Sequence, residues 1–91
     1  MGPRDLEYRM LELYQFEDCP FCARVREELD RLGLDYVVRS VPRPHALRER
    51  VKAVSGQTQV PVLVDPGRNK VVIESEDIIE YLDSHYGRKE T

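Results

Sequence analysis

A chain of 91 residues has room for one hydrophobic core rather than two, since independent cores are usually built on about 100 to 150 residues. With 41% apolar and 34% charged residues the composition is that of a globular domain, and no apolar run nears the roughly 20 residues that a membrane span needs. The net charge is −3 and basic residues are scattered among acidic ones, so the one-signed stripe of a nucleic-acid binder is missing.

Behind Met1-Gly2-Pro3-Arg4-Asp5 there is no apolar signal-peptide core, so the expected location is cytoplasmic, without membrane or nucleic-acid partners. Residues 1–91 read as a single domain, with 1–8 and 88–91 expected to be flexible ends. There are two cysteines, three positions apart. Where thiols are kept reduced, such a pair is more often redox-active or metal-binding than a structural staple.

Met10 to Tyr14 is a short run that suits a first strand. Pro20 fits the first helical position, where a missing N–H is harmless. Ala23, Val25, Leu29 and Leu32 then recur at helical spacing until Gly33 ends the segment. Tyr36-Val37-Val38 predicts a second strand, broken by Val41-Pro42-Arg43-Pro44. Pro44 is expected to open a second helix with Leu47, Val51 and Val54 inward, Arg48, Glu49, Arg50 and Lys52 solvated, and Gly56 as its stop.

Val60 to Val64 and Val71 to Ile73 flank the turn-rich Asp65-Pro66-Gly67-Arg68-Asn69, which predicts a hairpin. Ser75 is expected to cap the last helix, with Glu76 and Asp77 where its dipole favours negative charge. Ile78, Ile79, Leu82 and Tyr86 form its apolar stripe, and Gly87 ends it. The order βαβαββα describes an α/β fold with a four-stranded mixed sheet and helices on both faces. A right-handed crossover joins its parallel half.

The chemistry gathers at Cys19-Pro20-Phe21-Cys22. Cys19 falls at a helix N-cap, where orphan N–H groups and the dipole face its sulfur and favour the thiolate, the form that attacks disulfides. That mechanism expects an exposed sulfur. Cys22, one turn on, is placed to resolve a mixed disulfide on Cys19. The alternatives are a buried pair in the core, or half of a zinc site; zinc needs two further ligands, and His45 and His85 share no finger-like spacing with the cysteines. Both histidines read as solvated.

Pro61 opens an apolar strand, where its missing N–H is tolerated. If its peptide bond is cis, the Val60 backbone is left free to pair with an extended thiol peptide beside Cys19; a trans bond at the strand's start is the common alternative. Tyr14 could donate a hydrogen bond near the sulfur or pack in the core, and Phe21 could present an aromatic to substrate or pack on a loop. Glu17 and Asp18 oppose the thiolate by charge to a modest extent.

Three segments together resemble a known family: Tyr14-Gln15-Phe16-Glu17-Asp18-Cys19-Pro20-Phe21-Cys22, Gln59-Val60-Pro61, and Glu74-Ser75-Glu76-Asp77-Ile78. In this order they are similar to glutaredoxins and to the N-terminal domain of glutathione S-transferases, over about residues 10 to 86. The resemblance implies the thioredoxin-like fold and a glutathione-dependent oxidoreductase. It would reduce protein or glutathione mixed disulfides through Cys19 and Cys22, as a monomer with no metal. It also implies that Val60, ahead of a cis Pro61, pairs with the cysteinyl backbone of glutathione. Glu74 and Ser75, with Glu76 or Asp77 as further candidates, would hold the γ-glutamyl carboxylate at a helix start, as backbone N–H groups do for anions.

The chain departs from the family pattern in three places. Phe16 stands where many glutaredoxins carry a lysine for the glycyl carboxylate, a role open to Arg24, Lys52 or Gln57. Glu74-Ser75 is nearer the transferases than the Gly-Gly of many glutaredoxins. The all-helical second domain of transferases lies beyond this sequence, so conjugation of large hydrophobic substrates is not expected. The alternative reading is a transferase-like module, or one that binds glutathione with an iron–sulfur cluster, without disulfide reductase activity.

Overall fold

The computed structural model describes residues 10–87; the ends expected to be flexible, 1–8 and 88–91, lie outside the described residues. Strand β1 is Leu11–Gln15, helix α1 is Pro20–Arg31 and strand β2 is Tyr36–Ser40. A 3₁₀ turn at His45–Leu47 and helix α2 at Glu49–Ser55 lead to β3 at Val62–Asp65. A second 3₁₀ turn, Pro66–Arg68, leads to β4 at Lys70–Ile73, and helix α3 is Ser75–Tyr86. The order is the expected βαβαββα. The four strands form one mixed sheet ordered β2-β1-β3-β4, with β1 parallel to β2 and antiparallel to β3, and β3 antiparallel to β4.

Side chains alternate across a strand, so each strand feeds two cores. Leu11 and Leu13 of β1 and Leu63 of β3 meet Val25 and Leu29 of α1 and Ile78 and Leu82 of α3 on one face. Tyr14 and Val62 point the other way and pack with Val41 and with Val51 of α2. Each helix thus buries its stripe against a sheet face, and each fully buried Leu or Val contributes roughly 1.5 to 3 kcal/mol. No helix among the described residues is long and apolar enough to cross a membrane.

Two local expectations are corrected. The second helix is not continuous from Pro44: the chain makes a 3₁₀ turn, breaks at Arg48 (φ −95°, ψ 54°) and only then becomes α-helical. The break turns Arg48 inward, leaving it 4% exposed, and throws Leu47 out to 61% exposure. The reason is electrostatic: three backbone carbonyls converge on the Arg48 guanidinium, a stronger claim than Leu47's burial. Ser75, likewise, is the first residue of α3 and not its cap. Glu74 holds the cap position with φ 72° and ψ 124°, and no side chain closes the helix start.

Candidate functional site

β1 delivers the chain to a short loop, and the Cys19 N–H donates to the Phe16 carbonyl at 3.2 Å, turning the backbone into α1. Cys19 is the N-cap of α1 with extended backbone, and Pro20 follows at the first helical position. The Cys22 N–H donates to Cys19 Sγ at 3.2 Å, so one orphan amide of the helix start is spent on sulfur. Both thiols are free.

The sulfur is not exposed as expected. Cys19 is 5% and Cys22 0% exposed. Cys19 is nonetheless reached from outside, because it lines a cleft of about 400 Å³ together with Phe16, Pro20, Phe21, His45, Arg48, Gln59 and Val60. Cys22 lies deeper, and its thiol is pushed up from 9.0 to about 12, first by burial and then by its hydrogen bond with Cys19. It is therefore held as a neutral thiol.

The Val60–Pro61 peptide bond is cis. Pro61 is buried, Val60 is half-buried, and the Val60 N–H and C=O make no hydrogen bond among the described residues. Val60 borders two adjoining clefts. The second, about 300 Å³, is lined by Phe21, Gln57, Gln59, Val60, Pro61, Ile73, Glu74, Ser75 and Glu76.

This second cleft ends at the start of α3. The Ile78 N–H donates to the Glu74 carbonyl at 2.9 Å, while no side chain caps the first-turn amides. Uncapped amides and the helix dipole make this a good seat for a carboxylate. Glu74 takes up a left-handed backbone that a non-glycine residue adopts at a cost of about 1 to 3 kcal/mol. On the rim, Arg24 is ion-paired with Glu76, both largely exposed.

The structure therefore gathers Cys19, Phe21, Val60, Pro61, Glu74 and Ser75 around two joined clefts, with Cys22 behind Cys19. Phe21 is 59% exposed and borders both clefts. Tyr14 is not brought to the site. It is buried on the sheet face under α2, and the Arg50 guanidinium lies 5.6 Å from its ring centroid. Of the three substitutes for the missing lysine, Gln57 lines the second cleft, Arg24 is engaged with Glu76, and Lys52 lines neither.

His45, Arg48, Gln59 and Ile73 also line the clefts, although their sequence positions gave no such signal. His45 is exposed, as expected, but its Nδ1 sits 3.0 Å from Thr58 Oγ1. His85 is exposed and lies against Tyr81, with ring centroids 4.4 Å apart. Asp18 is paired with Arg43, which blunts its effect on the sulfur. No group of three or more His, Cys, Asp or Glu that could hold a metal occurs among the described residues.

A four-stranded mixed sheet, a Cys-x-x-Cys at the first helix start, a cis-proline opposite it and an uncapped acidic helix start define a thioredoxin-fold domain of the glutaredoxin and transferase kind. A family model described as the glutathione S-transferase N-terminal domain matches residues 13–90, and the chain belongs to that family. A curated relative from Clostridium pasteurianum, an uncharacterized glutaredoxin-like 8.6 kDa protein in a rubredoxin operon, is 32% identical over 54 residues, 59% of this chain and 72% of that one.

Among solved structures, a glutathione transferase homolog from Drosophila mojavensis with bound glutathione is 27% identical with a TM-score of 0.78, covering 87% of this chain and 36% of that one. Glutaredoxin 2 from Salmonella typhimurium in complex with glutathione is 25% identical with a TM-score of 0.70, covering 80% of this chain and 32% of that one. The chain spans about a third of the length of these two solved proteins.

Proposed function

We propose that this domain is a glutathione-dependent thiol–disulfide oxidoreductase acting on glutathione mixed disulfides of proteins and small thiols. The observation that carries the reading is Cys19 Sγ at the N-cap of α1, accepting the Cys22 N–H at 3.2 Å and lining the same cleft as Val60, which precedes the cis-proline. The sulfur faces the amides of a helix start, the arrangement that stabilises an attacking thiolate. The free amide and carbonyl of Val60 suit an extended thiol peptide lying alongside.

The second cleft offers groups that suit the γ-glutamyl end of glutathione: it carries Glu74, Glu76 and the open amides of α3. A tripeptide with both an ammonium and a carboxylate at that end would lie there with its sulfur at Cys19.

In the reaction the Cys19 thiolate attacks the glutathione sulfur of a mixed disulfide. A Cys19–glutathione disulfide forms and the client leaves as thiolate, taking a proton from water. A second glutathione thiolate then attacks this bond, giving oxidised glutathione and restoring the Cys19 thiolate. Cys22, held as a thiol, is the slower resolving group. The reading takes the protein to be a cytoplasmic monomer with no resident metal.

A transferase-type reading is favoured by Glu74-Ser75 and by the family match. The two separate on one assay set: reduction of a glutathionylated peptide by wild type, Cys19→Ser and Cys22→Ser, beside conjugation of glutathione to a small electrophile. Reduction that vanishes in Cys19→Ser supports the reductase. Reduction unchanged in Cys19→Ser, or conjugation without reduction, overturns it.

A further inference from the structure

Arg48 is a buried cation without a carboxylate. It is 4% exposed, and none of the ion pairs among the described residues includes it. Its partners are three backbone carbonyls and, at 3.4 Å from Nη1, His45 Nε2. Nε–H donates to Pro42 at 2.7 Å, an Nη2–H to Arg43 at 2.7 Å and an Nη1–H to Thr58 at 3.0 Å. Its guanidinium carbon also lies 5.2 Å from the centroid of the Phe16 ring. Burying a charge is expensive unless each donor is satisfied, and an apolar residue would fill the same space without that penalty. A stability role alone leaves such a choice unexplained.

What Arg48 touches is more informative. Pro42 and Arg43 follow β2, Thr58 stands two residues before Val60, and Phe16 accepts the Cys19 N–H through its carbonyl. One planar side chain thus joins the turn after β2, the segment that leads to Val60 and the Phe16 ring ahead of Cys19, and it lines the Cys19 cleft itself. The guanidinium is suited to this because its five donors lie in one rigid plane, whereas an ammonium is a point charge.

Resting on the reductase reading above, we infer that Arg48 is a positioning residue: its fork clamps the Thr58 carbonyl and the Pro42–Arg43 turn, and so fixes the Val60 backbone against Cys19 for substrate pairing. The geometry of the fork matters here, and its charge does not. A thiol peptide aligned on Val60 reaches Cys19 only if that backbone stays in place, and misplacement by about 1 Å can reduce a rate by about 100-fold.

The test compares Arg48→Lys, which keeps the charge, with Arg48→Met, which keeps the bulk. Steady-state reduction of a glutathionylated cysteine peptide is measured alongside the pH profile of Cys19 alkylation and amide hydrogen exchange at residues 58–60. Both variants should raise KM about tenfold or more, speed exchange at Gln59, whose N–H donates to Gln57 Oε1 at 2.7 Å, relative to β1 and α1, and leave the alkylation profile in place. If a variant folds poorly, Phe16→Leu, which removes the ring shared by Arg48 and Arg43 and keeps an apolar side chain, should move KM and local exchange in the same direction by a smaller factor.

Recovery of wild-type KM by Arg48→Lys would show that charge is what counts. A lowered kcat at unchanged KM would reveal only a smaller folded fraction. A displaced alkylation profile would place the effect on the sulfur. Each of these overturns the proposal. A wild type without Cys19-dependent reduction defeats the reductase reading instead, and the exchange measurement then decides the clamp by itself.

Discussion

Cys22→Ser should leave steady-state deglutathionylation within about twofold of wild type, because the Cys22 thiol is held protonated by burial. With the thiol raised from 9.0 to about 12, its thiolate fraction at neutral pH falls about a thousandfold. The more basic thiolate is the better nucleophile, and with a Brønsted slope of about 0.4 to 0.5 this recovers about 16- to 32-fold. Attack by Cys22 on the Cys19–glutathione disulfide is therefore at most about 30- to 60-fold slower than attack by an unperturbed neighbour, since burial persists there while the hydrogen bond and charge of Cys19 do not, and on the proposed reading free glutathione overtakes it. The assay forms the mixed disulfide in a single turnover, removes glutathione, and follows its decay by mass spectrometry from pH 7 to 10. Decay in wild type should be slow and rise about tenfold per pH unit across the whole range, with none in Cys22→Ser. A plateau near pH 9, or closure of the Cys19–Cys22 disulfide faster than release by 1 mM glutathione, refutes the reasoning.

The same burial sets a pH limit on stability. The folded protein binds the Cys22 proton more tightly than the unfolded chain, so this contribution is whole below pH 9 and is lost between about pH 9 and 12. Denaturation across that window should show one fewer proton released on unfolding in Cys22→Ala than in wild type, and equal slopes would contradict it. Glu74→Gly should raise stability by about 0.5 to 2 kcal/mol by relieving the left-handed backbone, yet weaken glutathione binding measured by calorimetry. A destabilised Glu74→Gly would sink that account. Asp65, 1% exposed, accepts the Tyr81 and Tyr86 hydroxyls at 2.7 and 2.6 Å. Asp65→Asn should cost about 2 to 4 kcal/mol in urea melts while leaving the KM for glutathionylated peptide alone.

Elements with strong periodicity were legible in the sequence, and their ends less so. Val25 and Leu29 of α1, and Ile78 and Leu82 of α3, recur at helical spacing, and each pair is fully buried on the same sheet face. Tyr14 shows where the sequence is silent. Two-residue alternation puts it on the face opposite Leu11 and Leu13, but only the path of α2 shows that Val51 covers it there. Arg48 reads as solvated because it lies in a run of charges. Its true partners are carbonyls of Pro42, Arg43 and Thr58, and a backbone carbonyl leaves no mark on the sequence. Ser75 looked like a cap by residue type. The helix instead starts on it, because Glu74 takes the cap position with its strained φ and leaves the first-turn amides to the cleft.

The recessed position of Cys19 has a consequence for substrate choice. Cys19, 5% exposed and lining a cleft, is better reached by a slim, extended thiol than by a disulfide flush with a folded surface. Glutathione supplies such an arm, and on the proposed reading it presents its own sulfur to Cys19 while the client stays outside. Phe21, 59% exposed at the junction of both clefts, is then the first side chain a departing client meets. Phe21→Ala should therefore change rates among glutathionylated peptides with different neighbours while sparing the reaction with oxidised glutathione's small analogues. Equal losses on every substrate would mean that Phe21 only shapes the cleft.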